Sequence, residues 1–127
     1  MSLVRRESEV GREQAAGARR TYIQWLIDRR DGAPNFELRK FTLEPGGEIP
    51  AHLHPDIEHE QYVLRGEYTI TLDGKSYRVG PGMAIYIPPN TVHSYRNDGP
   101  EPAEFLCIIP RRERYGVVWV EEERGNR

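Results

Sequence analysis

Apolar positions along the chain fall in short runs, with Gly and Pro clusters recurring roughly every eight to twelve residues. That punctuation is the signature of an all-β protein. "TYIQWLI" (21–27) predicts a first strand, followed by the loop "DRRDGAPN". "FELRKFTL" (36–43) predicts a second strand, closed by the turn "EPGGE". Apolar parity breaks between Leu38 and Phe41, which predicts a bulge there. In "YTITLDGKSYRV" (68–79), Tyr68, Ile70 and Leu72 alternate with threonines, and Tyr77 and Val79 resume the alternation after Asp73-Gly74. Asp-Gly supplies the positive φ of a type I′ hairpin turn. Pairing outward from it sets Leu72 opposite Lys75, Ile70 opposite Tyr77 and Tyr68 opposite Val79, with the apolar members on one face. "MAIYI" (83–87), "VHSYRN" (92–97), "EFLCII" (104–109) and "GVVWV" (116–120) complete eight or nine short antiparallel strands with no core helix. The expected architecture is a single-domain β-barrel or jelly roll over residues 21–120. Residues 1–20, polar and without sustained periodicity, are expected to be a flexible or interface arm, and 121–127 a frayed tail.

Composition narrows the function classes. At 127 residues, the chain has length for one domain with a real core. A net charge of −2 gives no electrostatic case for nucleic acid or an anionic membrane. No stretch reaches the roughly 18 apolar residues of a membrane span, and "MSLVRRESEVGREQ" has no apolar secretory core. The one cysteine, Cys107, has no partner for an internal disulfide, which fits a reducing compartment; a cytoplasmic location is expected.

The histidines are the unusual feature. Three of the four, His52, His54 and His59, crowd into "HLHPDIEH", and the fourth is His93. His52 and His54, two apart, share one face of a strand. An antiparallel barrel readily returns His93 to the same place. A lone histidine is most often a hydrogen-bonded or surface residue, but that reading weakens for a same-face pair with a third five residues on. Metal-free catalysis rarely needs four imidazoles in one place, whereas a transition metal does.

These residues stand in two spaced motifs. "GGEIPAHLHPDIEHEQYVLRG" (46–66) and "GMAIYIPPNTVHSYRN" (82–97) resemble the paired motifs of the cupin superfamily, over roughly residues 36–110. Gly82, Pro88, His93 and Asn97 fall at motif spacing; Asn90 stands where glycine is commonest, and Asn tolerates left-handed backbone. The first motif departs from the family at its glutamate. Counting three residues on from His54 lands on Glu58, whereas counting six back from Gly66 lands on His59. Residues 59–66 should form one strand, in which a one-residue slip reverses every side chain, while an extra residue in the "PDI" loop costs little. His59 is therefore expected as the ligand, with Glu58 and Glu60 outward. Glu60 is left either as a partner for an imidazole N–H or as a solvated charge.

The resemblance implies a small cupin of the four-histidine type, holding one divalent transition metal ion (Fe, Ni, Cu, Zn or Mn) on His52, His54, His59 and His93. Four neutral imidazoles leave the ion its full +2 charge. Around it, Tyr95 shares parity with His93, and Gln61 with His59. Phe105 and Cys107 share one face of their strand, which the sequence does not orient. Cys107 is either a fifth ligand or small apolar filler, and Arg39 either an anion-binding residue or a surface charge. Arg39, Gln61, Tyr95, Phe105 and Cys107 are thus the expected substrate pocket. The first functional expectation is a metal-dependent enzyme with oxygenase-type, dioxygenase chemistry on a small organic substrate. The alternative is a non-catalytic small-molecule binding or sensing module, and the third a sugar isomerase or epimerase. Expected partners are a small-molecule ligand and, given the apolar strand 22–27, a second copy in a homodimer; nucleic acid and membrane are not expected.

Overall fold

A computed structural model describes residues 1–120, so the expected tail, 121–127, lies outside the described residues. The described chain forms ten strands: β1 (Glu13–Gln14), β2 (Arg19–Ile27), β3 (Phe36–Leu53), β4 (His59–Arg65), β5 (Tyr68–Leu72), β6 (Lys75–Val79), β7 (Ala84–Ile87), β8 (His93–Arg96), β9 (Ala103–Pro110) and β10 (Val118–Trp119). The only helices among the described residues are two single 3₁₀ turns, at Glu7–Glu9 and Arg29–Asp31. None is long and apolar enough to cross a membrane.

All pairings are antiparallel, in the order β6-β5-β8-β3-β9-β4-β7, with β2 and β10 also on β3 and β1 on β2. The result is the curled sheet of a single-domain jelly roll. The hairpin expected at 68–79 forms with the expected register, Leu72 opposite Lys75, Ile70 opposite Tyr77 and Tyr68 opposite Val79. Asp73 and Gly74 both take positive φ, +48° and +84°. The core lies between the curled faces, where Phe105 stacks on Tyr68 and Tyr95 at ring separations of 5.4 and 5.3 Å.

Two expectations about β3 are corrected. "EPGGE" does not end the strand; it runs on from Phe36 to Leu53. Gly46 bends it at φ +82°, and a Cβ on Gly47 would lie 2.6 Å from the Arg20 carbonyl oxygen. The bend is tied to β8's end by Gly46 N–H to Asn97 O and Asn97 N–H to Gly47 O, both 2.9 Å. The expected irregularity near Leu38 is present, but β2 carries it. Trp25 pairs with Arg39 and Ile27 with Leu38, so Leu26 is the extra residue. β3 keeps its alternation, Glu37, Arg39, Phe41 and Leu43 on one side, while Leu38 meets Leu3 and Val4 on the other.

The amino-terminal arm runs along the outside of β2 and β3. Gln24 Nε2 donates to the carbonyls of Glu7 and Val10, both at 2.9 Å. Buried Lys40 lies between Glu7 (2.8 Å) and Glu104 (3.2 Å). β1 and the two residues after it, 13–16, line a cavity that the histidines share.

Candidate metal centre

His52 lies at the end of β3 and His54 just past it, His59 opens β4 and His93 opens β8. β3 pairs with β8 so that His52 sits directly opposite His93. Asn90 takes φ +67°, supplying the left-handed turn before β8, and its N–H bonds to the His54 carbonyl at 2.8 Å, joining the two motifs. Gly66, with φ +73°, closes β4 where a Cβ would lie 2.3 Å from the Pro102 oxygen; only glycine fits there.

The ligating atoms of His52, His54 and His93 lie within 4.8 Å of one another. The His59 ring is 5.0 Å from that of His54 and 5.3 Å from that of His93. His59 is buried, while Glu58 and Glu60 are exposed. Three Nδ1 atoms meet main-chain carbonyls: His52 with Pro50 O (2.7 Å), His54 with Gly116 O (2.7 Å) and His93 with Thr91 O (2.8 Å). A carbonyl only accepts, so each Nδ1 carries the hydrogen and each Nε2 keeps its lone pair. Those orienting partners are main-chain atoms, not the Glu60 carboxylate. His59 Nδ1 is buried without a partner.

Burial holds these imidazoles neutral. It pushes His52 down to about 4, with the hydrogen bond to Pro50 opposing. His93 falls to about 3 through burial and then the neighbouring His52, and His59 to about 2 through burial and then the Arg39 charge. His54 is lowered chiefly by burial. Neutral, convergent imidazoles with free lone pairs, one bearing an orphaned nitrogen, are the donor set a divalent transition metal takes. The residues present fit such an ion.

The histidines form one end of a cavity of about 300 Å³. Arg39, Gln61, Tyr95 and Cys107 all line it; Phe105 does not. The expectation for Phe105 is corrected: its ring is stacked between Phe41 (5.1 Å) and Tyr95 (5.3 Å), behind the wall. Gln61 Nε2 donates to the Tyr95 hydroxyl at 2.7 Å, so the Tyr95 proton is free for another acceptor. Burial raises Tyr95, keeping that proton on. Cys107 faces inward, but its sulfur accepts from Arg39 (3.0 Å) and Gln61 (3.4 Å) rather than joining the histidine group.

The walls include residues that sequence reasoning did not place there: Ile23, Trp25, Tyr115, Val117 and Trp119. Trp119 lies 5.0 Å from the His52 ring, because two-residue β10 pairs Trp119 with His52. "GVVWV" reads as a strand, but nothing local says against which neighbour it lies. Trp25 was accessible to reasoning, since it shares parity with Ile23 on an apolar strand.

The family model described as cupin domain matches residues 39–109. The chain is 31% identical over 78 residues to the mannose-1-phosphate guanylyltransferase RfbM of Salmonella typhimurium, covering 61% of this chain and 16% of that protein. It is 33% identical over 75 residues to the polyketide synthase CurC of Streptomyces cyaneus, covering 59% of this chain and 49% of that one. The chain thus spans half or less of the length of these curated relatives. Among solved structures, the polyketide cyclase RemF of Streptomyces resistomycificus superposes with a TM-score of 0.87 at 35% identity, covering 94% of this chain and 86% of that one.

Proposed function

The chain belongs to the cupin family, and from that premise we propose that it is a metal-dependent cyclase acting on a polyketide-type substrate, a flexible chain of carbonyl groups. The observation that carries this reading is the cluster of His52, His54 and His93, with the His59 ring about 5 Å away, at one end of a cavity walled by aromatic rings. His52, His54, His59 and His93 would together hold the ion. When bound, a divalent ion with neutral ligands supplies Lewis acidity to a carbonyl oxygen. Around it the chain's own residues hold and orient. Trp25, Phe41, Tyr115 and Trp119 give an apolar surface that excludes water and favours a folded-back substrate over an extended one. The Tyr95 hydroxyl, held by Gln61, donates its hydrogen to an oxygen of the substrate. The names carried by RemF and CurC support this substrate class.

An oxygenase uses the same four imidazoles, and the test separates the two. Purified protein should carry about one transition-metal ion per chain. Given a synthetic poly-β-ketone carboxylic acid, it should release cyclised, dehydrated product without consuming dioxygen. Dioxygen uptake matched to product would replace ring closure with oxygenation, and metal-free protein of full activity would remove both. A sugar-phosphate enzyme is the reading that the likeness to RfbM favours, but among the described residues Glu13 is the only carboxylate lining the cavity, which leaves isomerase chemistry without a pair of acid and base groups.

A further inference from the structure

Strand register puts Trp25, Arg39, Cys107 and Gln61 in one row across β2, β3, β9 and β4. Arg39 is the cation in that row, and no charge among the described residues is paired with it. Its guanidinium lies 5.3 Å from the Trp25 ring and 5.0 Å from the Phe41 ring. Nη2 donates to the Cys107 sulfur at 3.0 Å, a weak acceptor. Nε is buried without a partner. No carboxylate among the described residues forms an ion pair with Arg39, although eleven such pairs form elsewhere. Glu37, on the same strand face, is taken by Arg29. The one acid on the cavity wall, Glu13, is exposed at the mouth. Arg39 is half-buried, and drawing even part of a guanidinium out of water without an anion is unfavourable; the two ring faces offset only part of that cost.

We propose that Arg39 is the specificity-determining anchor for a carboxylate on the ligand, which makes this a site for organic acids whose carbonyl-rich body lies on the aromatic wall. The carboxylate takes the guanidinium edge, the body lies against Trp25, Phe41 and Tyr115, and a second oxygen points to the histidines. Phosphate is the poorer fit. Its additional oxygens need further cationic or N–H donors, and among the described residues the cavity wall offers no lysine, second arginine, serine or threonine. The inference rests on the reading of this cavity as the substrate site, and it names the substrate's acidic end.

The test uses 2-naphthoate and its neutral analogue 2-naphthamide, titrated into metal-loaded and chelator-treated protein and followed by tryptophan fluorescence and calorimetry. The wild type should bind the acid at least about ten-fold more tightly than the amide, with or without metal. Arg39→Met should lose about ten-fold or more for 2-naphthoate while leaving 2-naphthamide within about two-fold, and Arg39→Lys should recover part of the loss. If the methionine variant does not fold, Arg39→Gln against Arg39→Lys makes the same comparison. Equal affinity of the wild type for acid and amide, or no binding of either, overturns the proposal. So does unchanged 2-naphthoate affinity without the Arg39 charge. Discrimination that disappears with the metal assigns the carboxylate to the ion; it overturns the role of Arg39 and leaves ring closure standing. Arg39-dependent discrimination in a protein that never takes up metal does the reverse.

Discussion

At the histidine end of the cavity, three of four imidazoles are oriented by main-chain carbonyls; at the Arg39 end, the hydrogen bonds of Arg39 and Gln61 run from side chain to side chain. The histidine end is neutral until an ion arrives, whereas the other end carries the Arg39 guanidinium. The difference teaches where each end is vulnerable. Main-chain orientation depends on the fold, so single substitutions outside the ligands hardly disturb it. A row of interlocked side chains can be re-specified by exchanging one of them.

The sharpest way to break the histidine end is to remove a ligand. His52→Ala or His93→Ala should lose most bound metal, a fall in affinity of at least ~100-fold measured by chelator competition, since even partners of a ligand are worth about 10–100-fold. Near-stoichiometric metal after replacement of all four histidines would falsify the metal assignment. The next effect separates neighbours on β4. His59→Ala should weaken metal binding by at least ~10-fold, and Glu58→Ala by no more than a few-fold. The opposite ranking would restore Glu58 as the ligand and reverse the inward face of β4.

A third experiment uses pH. The buried histidines have folded values of about 4, 3 and 2, below the roughly 6.5 of the unfolded chain. As pH falls through 6.5, the unfolded state therefore takes up protons first, and the metal-free protein loses stability down to about pH 2, the lowest of the folded values. Melting temperature measured between pH 8 and 5 should fall. His93→Ala should flatten the fall, and Arg39→Met should leave its slope unchanged. The smallest effect is at the row. Cys107→Ala should cost about 1 kcal/mol, roughly 3–5 °C in melting temperature, with metal affinity unchanged. Lost metal would make Cys107 a ligand after all.

What could be read in advance followed the reach of each signal. The Asp73-Gly74 hairpin was legible because turn chemistry and alternation both lie within twelve residues. His59 could be separated from Glu58 on paper because strand parity is a local rule, and the burial of the two residues follows that parity. The continuation of β3 was not legible. Pro45, Gly46 and Gly47 are stop signals by composition, and what carries the strand through them is Asn97, fifty residues on. The cavity walls were hidden for a related reason. Whether Trp119 touches His52, or Phe105 lies behind Phe41, depends on which strands become neighbours. The carbonyls holding the imidazoles leave no mark in side-chain pattern at all.

The bend at Gly46 and Gly47 makes β3 a gauge. The strand carries Arg39 on one arm and His52 on the other; run straight at about 3.3 Å per residue, those thirteen steps would span roughly 43 Å. Folding at the glycine pair brings both onto one cavity instead, so ligand length is measured between two points of a single strand. Breeding a site for a longer or shorter acid then calls for resetting the hinge of the gauge, with the jaws themselves left alone.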